Sequence, residues 1–252
     1  MDDDVKYRVI IRRSFRHNGI RYLFQWNLKH HRQFNQRHSR SLWYALSTVA
    51  QGRIPLNAFE SEAYKRASAF RLKRSKTDDW FVSDLEDRGL LETNLEEERF
   101  AEICRAVSTI PPGPRRHFTV QDYLVKNDPS TVAMEVPVWS GFLRLTGHID
   151  LVRLTPRFIE VLDYKPEGRF LYSMPQVALY SYLLASCYPT IDMESIRCVS
   201  FNGKKAWGYH PDILRCLAPR LPEGCGVAEM LRRYDMLRGE PNAQRCYVKD
   251  RA

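Results

Sequence analysis

Apolar and polar positions along the chain fall into blocks of different period. KYRVIIRRSFRH and IRYLFQW flank Asn18-Gly19, the dipeptide that supplies the positive φ angles of a tight type I′ turn, and predict a β-hairpin. A polar, basic connector, KHHRQFNQRHSR, follows. Residues 41–110 then read as helical. SLWYALSTVAQG carries Leu42, Ala45, Leu46 and Val49 on one face and stops at Gly52. NAFE (57–60) and TNLE (93–96) each place a capping residue three before a Glu, which marks a helix start, and PPGP (111–114) closes the block. From Phe118 the period becomes two, with strands predicted near 132–139, 142–154 and 157–165. Ser173 is placed to cap a helix, PQVALYSYLLAS. A further hairpin, IRCVSF and KAWGYH, turns around Asn202-Gly203, and short helices finish the chain, the clearest being GVAEMLRRYDML.

This pattern predicts a basic hairpin and connector over residues 1–40, then one domain over 41–252. Within that domain, 41–117 is a helical region, 118–210 a sheet-containing core and 211–252 C-terminal helices. A chain of 252 residues is long enough for this arrangement.

Charge adds a partner class. The formal net charge is +9, which favours an anionic partner, most often nucleic acid. Residues 1–40 hold ten Lys and Arg against Asp2, Asp3 and Asp4, with Tyr22, Phe24, Trp26 and Phe34 interleaved. Cationic side chains neutralise phosphates and aromatic faces stack on bases, so Arg12, Arg13, Arg16 and Arg21 are candidate nucleic-acid contacts. A solvated hairpin with a basic outer face has the same composition. No apolar run approaches the ~18 residues of a membrane span, and the acidic start MDDDVKYR is not a signal peptide, so a cytoplasmic location is expected. There is no GxGxxG or GxxxxGK[ST] pattern and so no sign of a dinucleotide or ATP site. The cysteines at 104, 187, 198, 216, 225 and 246 form no close pairs and read as free thiols rather than a disulfide framework or zinc site.

The chemistry concentrates in GHIDLVRLTPRFIEVLDYKP (147–166). Arg144, Thr146, His148 and Asp150 share one strand face; Ile159, Val161, Asp163 and Lys165 share a face of the next. If Pro156-Arg157 is a two-residue turn, Thr155 pairs with Phe158 and Asp150 falls directly opposite Asp163. Opposed residues have Cβ atoms about 4.5–5.5 Å apart, where two carboxylates repel and raise each other's pKa. A divalent cation between them resolves the conflict, and oxygen ligands suit Mg2+ or Mn2+. Lys165 beside it can hold a phosphate or help activate an attacking water. Gln176 and Tyr180, spaced i, i+4, share a helix face and can hydrogen-bond phosphate or base atoms. The plainer alternative is a carboxylate pair separated by a different turn, with Lys165 a simple salt-bridge partner.

GHID (147–150), VLDYK (161–165) and QVALY (176–180) resemble, in order, the GxxD, (D/E)xK and QxxxY motifs of RecB-like nucleases in the PD-(D/E)XK superfamily, a group that includes CRISPR-associated exonucleases and recombination helicase-nuclease domains. The resemblance covers about 118–210. It implies an α/β fold of the restriction-endonuclease-like kind, a central mixed sheet flanked by helices in the order α-β-β-β-α-β. It implies Asp150, Asp163 and the backbone carbonyl of Tyr164 as metal ligands, Lys165 as the catalytic lysine, and Gln176 and Tyr180 as strand-orienting residues. Many relatives add a His or Glu from an upstream helix, for which Glu60, Glu62, Glu98 and Glu102 are equal candidates here. Glu135, in AMEVPVW, resembles a Glu-x-Pro strand of some relatives and stays outside the expected metal ligands; His148 reads as a bystander or DNA contact. The reading that follows is a Mg2+- or Mn2+-dependent deoxyribonuclease of the exonuclease-like branch, acting on single-stranded DNA or free ends, with room for a helicase or recombination partner. A junction-resolvase-like endonuclease, or a non-catalytic nucleic-acid-binding protein on the same fold, is the alternative.

Overall fold

The computed structural model describes residues 9–72, 78–93, 98–166, 170–221 and 226–238. Strands β1 (Ile10–His17) and β2 (Ile20–Asn27) come first, followed by helices α1 (Leu28–His31), α2 (Arg37–Ala50) and α3 (Leu56–Glu60). Next are β3 (Lys65–Arg66), α4 (Asp78–Asp87), β4 (Leu91–Thr93) and α5 (Glu98–Ser108). The centre of the fold is α6 (Arg116–Asn127), β5 (Thr131–Ser140), β6 (Leu145–Leu154), β7 (Ile159–Tyr164), α7 (Phe170–Cys187) and β8 (Ile196–Phe201). β9 (Ala206–Tyr209), α8 (Ile213–Leu217) and α9 (Val227–Arg238) complete the described chain.

These strands form one mixed sheet, ordered β1-β2-β5-β6-β7-β8-β9-β4, with β3 beside β6. β7 and β8 run parallel, which requires a crossover, and α7 supplies it. The fold is therefore the expected α/β class, a mixed sheet flanked by helices. Val177, Leu183 and Leu184 of α7 join the larger core cluster with Val152 and Val161. Phe100 and Ile103 of α5 and Val120 and Leu124 of α6 form a second cluster over Leu151, Leu162 and Val199. Helices on both faces explain why every residue of β7 is buried. No helix among the described residues is long and apolar enough to cross a membrane.

The N-terminal hairpin forms as its turn residues dictate. Asn18 and Gly19 adopt φ of 50° and 75°, the pair of positive angles a type I′ turn needs. The turn is held from outside, because Asn18 N donates to Phe59 O at 3.1 Å and Gly19 N to Glu60 Oε2 at 3.1 Å. β2 pairs with β5 through Gln25 and Trp26, so the hairpin extends the central sheet.

Several expectations are corrected. The 41–110 block is not wholly helical, since β3 pairs with β6 and β4 with β9. The period-two region does not begin at Phe118. Residues 116–127 form α6, whose buried stripe is Val120, Gln121, Leu124 and Val125; a buried glutamine in that stripe disguised its helical period. The connector is not a solvated loop. Asn27 caps α1 by accepting from His30 N at 3.1 Å, and His30 and His31 are buried. Asn57 lies inside α3 rather than at its start, and residues 94–96 of TNLE are outside the described residues. Ser173 lies within α7, which begins at Phe170. Leu72 N donates to Tyr172 O at 3.2 Å and so fastens the extra turn.

Candidate active site

The Pro156-Arg157 turn is closed by Thr155 N donating to Phe158 O at 2.9 Å. From there the β6–β7 ladder runs Leu154↔Ile159 to Leu151↔Leu162. One further step in that register sets Asp150 opposite Asp163. On the other side of β6, Glu135 stands between the Met134↔Leu151 and Val136↔Ile149 pairs, level with Asp150. Three carboxylates thus form a row across β5, β6 and β7, with exposures of 7%, 5% and 0%. Glu135 has a left-handed φ of 50°, a conformation that costs a non-glycine residue about 1–3 kcal/mol.

Each carboxylate has a partner from another element. His117, in the first turn of α6, places Nε2 3.0 Å from Asp150 Oδ2. Lys165 Nζ is 2.8 Å from the Asp163 carboxylate, and the Ser173 hydroxyl donates to Asp163 Oδ2 at 3.3 Å. Gln121, one turn along α6 from His117, donates to Glu135 Oε1 at 2.9 Å and to the Asp150 backbone carbonyl at 3.3 Å. His148 Nδ1 lies 2.8 Å from Glu135 Oε2, yet neither atom has an aligned hydrogen bond. The His148 ring packs against Tyr22, with ring centres 3.9 Å apart and planes inclined at 41°.

Burial and proximity pull the opposed aspartates in opposite directions. Burial pushes Asp163 up and the neighbouring Asp150 pushes it further, to about 7, against the pull of Lys165. Burial also acts to raise Asp150, but His117, with Lys165 and His148 behind it, outweighs this and holds Asp150 below the ordinary carboxylate range. His117 is lowered by burial but raised more by Asp150, Asp163 and Glu135, reaching about 9. The cluster thus favours a proton on His117 and disfavours full ionisation of Asp163, the usual outcome when two carboxylates compete for one site.

On α7, Gln176 Nε2 donates to the Tyr180 hydroxyl at 2.8 Å, while Gln176 Oε1 is buried without a hydrogen-bond partner. Gly147 shows why a glycine precedes Asp150 by three. A Cβ there would lie 2.6 Å from Tyr180 Cε1, so only glycine lets α7 come this close to β6. Tyr164 follows Asp163 on β7; its ring packs 5.4 Å from Phe201 and 5.9 Å from the His117 ring.

Of the upstream glutamates, the three with described side chains do not join this group. Glu60 bonds the hairpin turn, Glu62 and Glu102 are exposed, and the side chain of Glu98 is outside the described residues. His117 approaches instead, a residue that sequence reading passed over. Its signal was the i, i+4 pair His117 and Gln121 on a helix just ahead of the strands. Glu135, kept outside the expected metal ligands, and His148, read as a bystander or DNA contact, both stand beside Asp150, with His148 half-buried against Tyr22 and Glu135.

The donor set fits a divalent cation. Glu135, His148 and Asp150 each offer a ligand atom within 4.8 Å of the others, and two of these atoms are buried without aligned partners. Carboxylate oxygens suit hard divalent ions, and an imidazole beside them favours a transition-metal ion. A helix-flanked mixed sheet, with carboxylates and a lysine gathered on neighbouring central strands, defines a class of α/β nucleases. The chain belongs to the PD-(D/E)XK nuclease superfamily, whose sequence model matches residues 31–204. No curated protein matches the chain.

Proposed function

We propose that the protein is a metal-dependent deoxyribonuclease of the RecB-like, exonuclease-like branch, hydrolysing phosphodiester bonds of single-stranded DNA or free DNA ends with Mg2+ or Mn2+. The observation that carries this reading is the opposed pair Asp150 and Asp163, buried and bracketed by His117 at 3.0 Å and Lys165 at 2.8 Å. Asp150, with Glu135 and His148 beside it, would hold the cation together with Asp163 and the carbonyl of Tyr164. When bound, it lowers the pKa of a coordinated water and offsets charge gathering on the phosphate oxygens.

The remaining work falls to side chains. A cation held at Asp163 would compete with Lys165 for that carboxylate, leaving the ammonium available to a phosphate. Lys165 then contacts the scissile phosphate and steadies charge on it. Gln176 keeps an unpaired buried oxygen beside Tyr180, and the two orient the strand. On the hairpin, Arg16 and Arg21 face each other directly, a like-charge pair that an anionic backbone would relieve. Arg12 and Arg13 bond Gln25 and the Ala50 carbonyl. A role in DNA repair, recombination or replication, a cytoplasmic location and a helicase or recombination partner all follow from the same reading.

The test is end-labelled single- and double-stranded DNA incubated with Mg2+, Mn2+ or EDTA, with products sized over time. Metal-dependent, progressive shortening from an end supports the reading. Cleavage that persists in excess EDTA overturns it.

A further inference from the structure

Large exposed side chains sit at many points on the described surface, but two aromatic ones have a particular position. Phe118, 42% exposed, follows His117 in the first turn of α6. Tyr172, 41% exposed, precedes Ser173 near the start of α7. Each is one residue from a side chain that bonds a central aspartate, His117 to Asp150 and Ser173 to Asp163. The two helices belong to different core clusters and so approach the carboxylates from different sides of the sheet.

Positive charge accompanies both rings. The Arg71 guanidinium lies over the Tyr172 ring, 5.4 Å from its centroid, and the neighbouring Leu72 N bonds the Tyr172 carbonyl. Arg115, exposed, and Arg116, half-buried, open α6 immediately before His117. An aromatic face in water beside a cation suits a ligand that carries both flat apolar surfaces and negative charge. A single strand of nucleic acid has both, because successive bases expose their faces while phosphates track along a basic groove.

We propose that Phe118 and Tyr172 are stacking posts for unpaired bases on either side of the carboxylates, with Arg71, Arg115 and Arg116 meeting the phosphates. The proposal rests on the nuclease reading above and narrows its substrate. In a duplex the bases already stack on one another, so no free face is offered except at an end. The posts therefore select unpaired strand over intact duplex.

The experiment is fluorescence anisotropy in EDTA, where binding is read without cleavage. The probes are a dye-labelled oligothymidine and a duplex of the same length, closed at both ends by non-nucleotide linkers. Phe118→Ala and Tyr172→Ala should each lose about tenfold in single-strand affinity, the scale of base–aromatic stacking, with less than about twofold change on the closed duplex. Phe118→Trp and Tyr172→Phe should bind as the parent does. Tyr44→Ala, an exposed aromatic of α2, should have no effect. Alanine variants that keep parental single-strand affinity, or lose both probes equally, overturn the posts. Parent cleavage with Mn2+ is read in parallel. A parent that cleaves while its alanine variants bind normally loses only this inference; a parent that neither binds nor cleaves loses the nuclease reading as well.

Discussion

Two charged pairs lie three residues apart on the same two strands, and they are built in opposite ways. Near the turn, Arg153 faces Glu160. Both are fully buried, with Arg153 Nη1 2.7 Å from Glu160 Oε2 and Nε 3.0 Å from Asp128 Oδ2. The guanidinium also lies 4.7 Å over the Phe100 ring. At the other end Asp150 faces Asp163, like against like, and the relief comes from groups beyond the pair. Those groups are close to solvent: the His117 side chain is 44% exposed and that of Lys165 24%. The difference teaches that burying charge does not by itself mark a site. Arg153 and Glu160 are opposite charges that attract each other directly across the hairpin. Asp150 and Asp163 borrow partners that are able to leave, which is what a site for an exchangeable cation and a phosphate requires.

The comparison is most open to attack at the chemistry. Asp150→Ala, Asp163→Ala and Lys165→Ala should each lower cleavage of labelled single-stranded DNA at least 10²- to 10³-fold, roughly the loss seen when one preorganised charged or hydrogen-bonding group is removed from an active site. Their circular-dichroism spectra should remain those of the parent. Substantial cleavage by any of the three would mean that the conflict at this end serves something else.

Next in size is stability. Arg153→Met should destabilise the protein by about 3–5 kcal/mol in urea unfolding, because it takes from the buried Glu160 its nearest cation and leaves Arg197 at 3.9 Å. Asp163→Asn in metal-free buffer should leave stability unchanged or raise it, since it removes half of a repelling pair. An Arg153→Met protein as stable as the parent would erase the contrast between the two ends.

The pH dependence sharpens it further. Asp163 is raised to about 7 and His117 to about 9, both above their unfolded values. Such groups contribute stability that is present below the unfolded pKa and lost as pH rises through the folded one. The metal-free parent should therefore lose melting temperature between about pH 4 and pH 9, relative to a double Asp163→Asn, His117→Gln variant measured alongside. Asp150, held low, acts in the opposite sense and only in acid: its contribution is lost as pH falls below the ordinary carboxylate range. Over the upper part of the window, affinity for Mn2+ should rise with pH and binding should release protons, measurable by calorimetry in two buffers. A flat difference between parent and variant would mean the aspartates share no proton.

The smallest effect lies at the hairpin. Replacing Arg16 and Arg21 together by Gln should lower the slope of log affinity against log salt by about 1–2, one counterion per lost phosphate contact. Arg12 and Arg13, bonded to Gln25 and the Ala50 carbonyl, lack the like-charge opposition of Arg16 and Arg21 and should contribute less. An unchanged slope makes this a solvated face.

Much was determined by the sequence alone. Asn18-Gly19 specified its turn because so few residues accept two positive φ angles in succession. The Pro156-Arg157 turn set the β6–β7 register, and since side chains alternate strictly along a strand, that register alone carried Asp150 to Asp163. The helix bearing Gln176 and Tyr180 was legible from its apolar run. What sequence could not decide is which separate elements converge. His117 is thirty-three positions from Asp150, and only the packing of α6 over the sheet brings them together. Glu135 reaches the carboxylate row through a backbone angle that no propensity predicts for glutamate, and His148 is turned onto Glu135 by its seat on Tyr22. β4 and β3 are too short to show a period, and they exist because β9 and β6 offer them edges to pair with. Local pattern sets turns, strands and helices; the partners that tune a buried charge come from distant segments, and their approach is a property of the packed core.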